Sequence, residues 1–217
     1  MKKNTKSDKI KVGIVGEHPQ NDCEALRHLL VSKACSDVQF IVITKRLRGG
    51  DFDDEQNGGA SKKFLRLLEE EMADEDLNHV IFVRDLDGVL SEKSKVQVRD
   101  RWFNQANKTI DGKGIFFLAI AEMEALILAD IETFNKIYGL NVKSVGNPMA
   151  DKDPKKTLMQ LTEKTKRGKY SMSDAPDIFK SIVFQTVYKN HKGDRSFQTF
   201  ADELKDKNII TFDKKPF

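Results

Sequence analysis

Four short apolar runs, separated from one another by stretches of helical spacing, constrain this chain more than any other feature. They are Ile10–Val15, Val38–Ile43, Val80–Val83 and Ile115–Ile120, all rich in Val, Ile and Phe. A strand with one wet face alternates apolar and polar residues. Near-continuous runs instead suit strands covered on both faces, as in a parallel sheet. The intervening segments supply the cover. Asp22–Lys33 places Ala25, Leu26, Leu29 and Leu30 on one stripe. Ser61–Met72 opens on a capping Ser and carries Phe64, Leu65, Leu67, Leu68 and Met72. Lys93–Asn107 carries Val96, Trp102, Phe103 and Ala106. The order β-α-β-α-β-α-β predicts an α/β fold, with a mostly parallel four-stranded sheet flanked by helices through right-handed crossovers.

Beyond the fourth run the pattern becomes helical throughout. Glu122–Tyr138 reads as one apolar helix stopped at Gly139. Asp153-Pro154 pairs a cap with a proline at the first helical position, opening a helix through Lys166. Two further helical patterns cover Pro176–Lys189 and Arg195–Lys207. Residues 1–9 therefore read as a disordered basic N-terminus, 10–139 as the α/β domain and 140–217 as a helical C-terminal annex. Lys45–Ala60, with Gly49, Gly50, Gly58 and Gly59, reads as a long polar loop.

Composition narrows the function classes. With 217 residues, 39% of them hydrophobic, the chain can build a sizeable core. A net charge of +3 argues against a basic coat over the whole surface but permits a local basic strip. Such strips occur at Lys45-Arg46-Leu47-Arg48 and along Lys155–Lys169; they could grip a phosphate backbone, although each alone reads as a solvated face. Two cysteines and four histidines give neither a disulfide framework nor a zinc pattern. The start of the chain lacks the apolar core of a signal peptide, and no run approaches the length of a membrane span. The expectation is a cytoplasmic protein without a membrane partner.

Chemistry concentrates in acids at the ends of the apolar runs. Glu17 follows the first, where parallel α/β folds gather ligands. Asp22 and Glu24 come next, and read more simply as complements to the dipole of the helix they open. Asp85-Leu86-Asp87-Gly88 ends the third run; strand alternation around Leu86 would aim both carboxylates into one pocket. Glu122-Met123-Glu124 follows the fourth. Three acidic clusters on one sheet edge repel each other unless a cation sits among them. Hard oxygen ligands at close range suit Mg²⁺ or Mn²⁺. Arg84 should point away from Asp85 by alternation, and His18 is a loop histidine that could ligate or shuttle a proton. Trp102 and Phe103 read as helix core.

This arrangement resembles a Toprim domain, the catalytic fold of topoisomerases, primases and several nucleases. That family carries a Glu after its first strand, matched by Glu17, and an Asp-x-Asp after its third, matched by Asp85 and Asp87. The stretch Glu122-Met123-Glu124-Ala125-Leu126-Ile127-Leu128-Ala129-Asp130 resembles the Glu-x-Glu-Ala-x-x-Leu-Ala-Asp core of small Toprim-like proteins often encoded beside ATPases in bacterial defence loci. Pro154-Lys155 fits that group's Pro-Lys pattern. At the first site the family usually has Glu-Gly, whereas this chain has Gly16-Glu17-His18-Pro19. The resemblance implies a Mg²⁺- or Mn²⁺-dependent nuclease of DNA or RNA, acting in anti-phage defence with an ATPase partner. Glu17, Asp85, Asp87, Glu122 and Glu124 would be the ligands, and Lys155 would stabilise charge on the phosphate. No Walker-type loop is present, so any ATP hydrolysis would come from a partner. Two rivals stand. Asp85-Leu86-Asp87-Gly88 also resembles the nucleophile motif of haloacid-dehalogenase-type phosphatases, with Asp85 as nucleophile. A Toprim-like module that only binds a partner is the other.

Overall fold

The four apolar runs become four parallel strands in the computed structural model, which describes residues 9–43, 49–54, 58–143 and 145–212. Strands β1 (Ile10–Gly16), β2 (Val38–Val42), β3 (His79–Asp85) and β4 (Gly114–Ala119) lie in the order β2-β1-β3-β4. In register, Ile14 faces Val42, Val15 faces Phe82, and Asp85 faces Ala119. Residues 1–8 and the basic cluster Lys45-Arg46-Leu47-Arg48 lie outside the described residues.

Successive side chains along each strand serve different layers. Val15, Val80 and Phe82 face helices α2 (Lys62–Asp74) and α3 (Lys93–Thr109), joining Phe52, Phe64 and Trp102 in one buried cluster. Val12, Ile14, Ile81 and Phe117 face the other way, into a second cluster with helix α1 (Glu24–Val31) and the C-terminal helices. Each large apolar side chain so buried contributes about 1.5–3 kcal/mol. The apolar positions read from helical spacing thus find their sheet partners on both faces.

The described residues from 145 to 212 complete one layer of the sheet. Helix α7 (Ala175–Phe179) packs on α1, α8 (Phe184–Asn190) on α4 (Glu124–Ala129), and α9 (Phe197–Asp206) on β4. Their Phe179, Phe184, Phe197 and Leu204 share one apolar cluster with the strands.

Two helices expected to be continuous are broken, and the two breaks are joined. Glu122–Tyr138 divides at Asp130 (φ −118°, ψ 57°) into α4 and α5 (Ile131–Tyr138). The Asp130 carboxylate accepts from the backbone N–H of Thr133 at 3.4 Å and of Val183 at 2.8 Å. Val183 sits in the gap between α7 and α8, so one buried carboxylate caps two interrupted helices. Helix α6 (Pro154–Thr162) starts at the expected cap, with Asp153 accepting from Lys156 N–H at 2.9 Å. It ends before Lys166 because the Thr162 hydroxyl accepts from Tyr170 N–H at 2.7 Å. In the polar loop, Asp53–Asp54 and Gly59–Ala60 form a two-residue hairpin, while Phe52 enters the core. Among the described residues, no helix is long and apolar enough to cross a membrane.

The connections set the site. From β1 the chain crosses by α1 to β2 on one side, then returns by α2 to β3 on the other. That reversal opens a crevice at the carboxyl ends of β1 and β3.

Candidate metal centre

Gly16 ends β1 where a side chain could not. A Cβ there would stand 2.9 Å from the Val83 carbonyl oxygen and 3.0 Å from Cys23 Sγ. The chain then turns through one π-helical turn, Pro19–Cys23, whose N–H groups at Asn21 and Asp22 donate to the His18 carbonyl at 3.1 and 2.9 Å. The His18 ring itself is exposed. The turn carries Asp22 back over the crevice. Burial, followed by the charges of Glu124 and Glu17, pushes the Asp22 carboxyl up to about 8. Glu24, by contrast, stays in the first turn of α1 and pairs with Arg27 at 2.6 Å.

Asp85 is the last residue of β3 and points to the same layer as Ile81 and Val83. Its Oδ1 is buried and has no hydrogen-bond partner. Burial, then Asp22, Glu124, Asp87 and Glu122, push its carboxyl well above the usual range. Glu122 and Glu124 arrive from the end of β4, where Ala121 adopts a left-handed conformation (φ 61°). Glu124 is buried at the start of α4, its Oε1 accepting from the Tyr170 hydroxyl at 3.0 Å. Glu122 accepts from the backbone N–H of Lys155 at 3.1 Å. Its carboxyl is also raised, chiefly by burial.

Glu17 and Asp87 face another set of partners. Arg84 points to the α2–α3 side, as alternation requires, and is 1% exposed. From there its guanidinium reaches Glu17 at 2.5 Å and Asp53 of the hairpin at 2.9 Å, and stacks on Trp102 at 4.5 Å. Strand geometry does not persist to Asp87, so the two carboxylates of Asp85-Leu86-Asp87 do not share an orientation. Asp87 takes a left-handed conformation (φ 54°) because its N–H donates to Ala121 O at 3.1 Å, tying the loops after β3 and β4 together. Its carboxylate is exposed and pairs with Arg99 at 2.9 Å.

Lys155 approaches the cluster through its backbone. Its ammonium group donates to Met172 Sδ at 2.7 Å, while its charge lowers the carboxyls of Asp22 and Glu122.

Among the described residues, no three His, Cys, Asp or Glu side chains stand as a ready-made coordination shell. The donor chemistry nevertheless fits a hard divalent cation: carboxylate oxygens only, one of them buried without a donor, and mutual repulsion that a cation would relieve.

Residues 23–205 match the model of a domain of unknown function, DUF4276. That is most of the chain. The protein belongs to the DUF4276 family. No curated protein and no solved structure matches it. Asp85, Glu122, Glu124 and Lys155 lie inside the DUF4276 match, whereas Glu17 and Asp22 precede it.

Sequence reasoning assigned Asp22 to the helix dipole and did not single out Asp53 or Tyr170. A signal for Asp22 was present in Pro19, which starts a turn three residues ahead of it. Asp53 and Tyr170 come from loops whose paths no local pattern encodes.

Proposed function

We propose that this protein is a Mg²⁺- or Mn²⁺-dependent nuclease. The observation that carries the reading is the buried, partnerless Asp85 Oδ1 at the crevice between β1 and β3, surrounded by Asp22, Glu122 and Glu124. Asp85, Asp22, Glu122 and Glu124 would hold the cation; bound there, it supplies Lewis-acid stabilisation of phosphate charge and an acidified water. The roles of the chain's own groups follow from their partners. The Lys155 N–H and the Tyr170 hydroxyl fix Glu122 and Glu124. Asp22 holds a proton near neutral pH and gives it up as the crevice gains positive charge. Glu17, oriented by Arg84 at the rim, positions the attacking water and accepts from it. Hydrolysis forms one bond from the water oxygen to phosphorus and breaks one ester P–O bond. The water's proton passes to solvent or a carboxylate, and the leaving oxygen takes one up.

The Toprim resemblance supports this reading and adds an ATPase partner and a defence setting. The test is cleavage of plasmid DNA, single-stranded DNA and tRNA with Mg²⁺ or Mn²⁺, with and without a co-encoded ATPase. Scission should require the metal and fall about 100-fold or more in Asp85→Asn, the scale of losing a group that acts on developing charge. Metal-independent scission, or scission unchanged in Asp85→Asn, would overturn the proposal. Hydrolysis of para-nitrophenyl phosphate that survives Glu17→Gln and dies in Asp85→Asn would indicate a phosphatase instead.

A further inference from the structure

A polyanion approaching this crevice meets carboxylates, and the arginines beside them are already paired. Arg84 is held by Glu17 and Asp53, Arg99 by Asp87 and Asp53, and Lys95 by Glu92, while the Lys155 ammonium meets only the neutral Met172 sulfur and keeps its charge. Beyond Lys155, positive charge for holding a phosphate backbone must come from elsewhere.

A cleft of about 730 Å³ lies at the carboxyl ends of α4 and α8. Lys143, Lys189 and Lys192 line it together with Asn147, Thr186 and Asn190. The three lysines are exposed and carry no ion pair among the described residues. The lining sets two acids, Asp130 and Glu132, against the three lysines; Asp130 keeps its charge but has both oxygens engaged by backbone N–H groups. The cleft is therefore net basic. A cation at a helix carboxyl end complements the dipole there, which accounts for Lys189 and Lys192 but not for Lys143 on a facing loop.

Two links join the cleft to the carboxylates. Helix α4 begins at Glu124 in the metal centre and ends at Ala129 in the cleft, six residues or about 9 Å along its axis. The chain lining the cleft at Asn147 and Pro148 continues into Met149, which packs with Leu86 and Ile120 beside the acidic loops. At a rise of about 3.4 Å per nucleotide, two to three nucleotides span that distance.

We infer that this cleft is a phosphate-backbone subsite, holding a single strand of nucleic acid a few nucleotides from the bond placed at the carboxylates. The inference depends on the nuclease reading, and its test separates the two. Binding of short single-stranded DNA and RNA oligonucleotides is measured by fluorescence anisotropy in EDTA over a range of salt, with AMP as competitor. In the K143Q/K189Q/K192Q variant the slope of log affinity against log salt should become shallower by about 2, from roughly 0.7 per phosphate contact removed. The corresponding triple Lys→Arg variant should retain the slope. The melting shift produced by Mn²⁺ should be the same in the triple Lys→Gln variant as in wild type. Oligonucleotide binding unchanged in the triple Lys→Gln variant overturns the subsite and leaves the metal-centre reading intact. Wild type that binds no oligonucleotide overturns the subsite, and metal-dependent scission then decides the nuclease reading by itself. AMP that displaces as well as an oligonucleotide of equal phosphate content overturns the polymer in favour of a mononucleotide ligand.

Discussion

Two groups of carboxylates occupy the same edge of the sheet and differ in what neutralises them. On the α2–α3 side, Glu17, Asp53 and Asp87 each meet a guanidinium, from Arg84 or Arg99. On the α1–α4 side, burial first and then neighbouring carboxylates, with Glu124 common to all, raise Asp22, Asp85 and Glu122. Both groups stand at strand ends and both look alike in sequence. In the first each carboxylate has a cation built into the chain, although Arg84 Nε and Nη1 are themselves buried without partners. The second has no ion pair among the described residues, only the more distant charge of Lys155, and that difference, rather than acid content, marks where a ligand cation belongs.

The largest effect should come from breaking the paired group. Arg84 is desolvated (side-chain exposure 0%), whereas Glu17 and Asp53 are partly hydrated at 28% and 41%. Removing the acids therefore strands a buried cation. Glu17→Gln with Asp53→Asn should destabilise the fold by about 3–5 kcal/mol, the scale of a buried charge left uncompensated. Adding Arg84→Met to that pair should recover most of the loss, since Met can keep the packing against Trp102 without the charge. Urea unfolding of the three proteins checks this; a double variant as stable as wild type would mean that Arg84 rehydrates.

The second group should respond in the opposite sense. The Asp22 carboxyl stands at about 8 in the folded protein against an ordinary value of 3.8. Between those values the folded state binds more protons than the unfolded state, so stability falls as pH rises. In metal-free protein the loss should run from about pH 4 to about pH 8. Asp22→Asn should flatten it, gaining on the order of 2 kcal/mol at the alkaline end. Saturating Mn²⁺ should remove the loss in wild type by supplying the counter-charge, and at 100 times its Kd should add about 2.7 kcal/mol. Thermal melting across pH, with Mn²⁺ or EDTA, measures all of this. A flat profile for metal-free wild type would break the comparison.

What could be read in the sequence follows the same division. The strands, their parallel pairing and the acids ending them are local patterns, so Asp85, Glu122 and Glu124 were legible as one edge. Side-chain orientation past a strand end was not. Alternation placed Arg84 correctly, yet failed three residues on, because a hydrogen bond to Ala121 turns Asp87 into a left-handed conformation. Asp22 looked like a complement to a helix dipole because a π-helical turn, not visible in apolar spacing, lifts it over the crevice. The breaks at Asp130 and near Val183 were hidden for a similar reason: each is satisfied by the other, 53 residues away.

The smallest effect tests how firmly the second group is held. Tyr170 is 2% exposed, and its hydroxyl donates to Glu124 Oε1 across 46 residues of sequence. Burial and the Glu124 charge push the phenol upward, so it stays a donor throughout the accessible pH range. Tyr170→Phe keeps the ring contact with Phe134 and removes only that donor. The expected cost in metal-free protein is about 1 kcal/mol, the net worth of one hydrogen bond. With Glu124 freed from its anchor, Mn²⁺ should bind more weakly while the fold remains intact, so the melting shift at fixed Mn²⁺ should shrink. Glu124→Gln provides the control, since it should lower the Mn²⁺ shift whether or not the tyrosine is present. If Tyr170→Phe lowers stability and leaves the Mn²⁺ shift unchanged, the tyrosine supports α4 and not the cation ligand, and Glu124 must be oriented by its place in the helix alone.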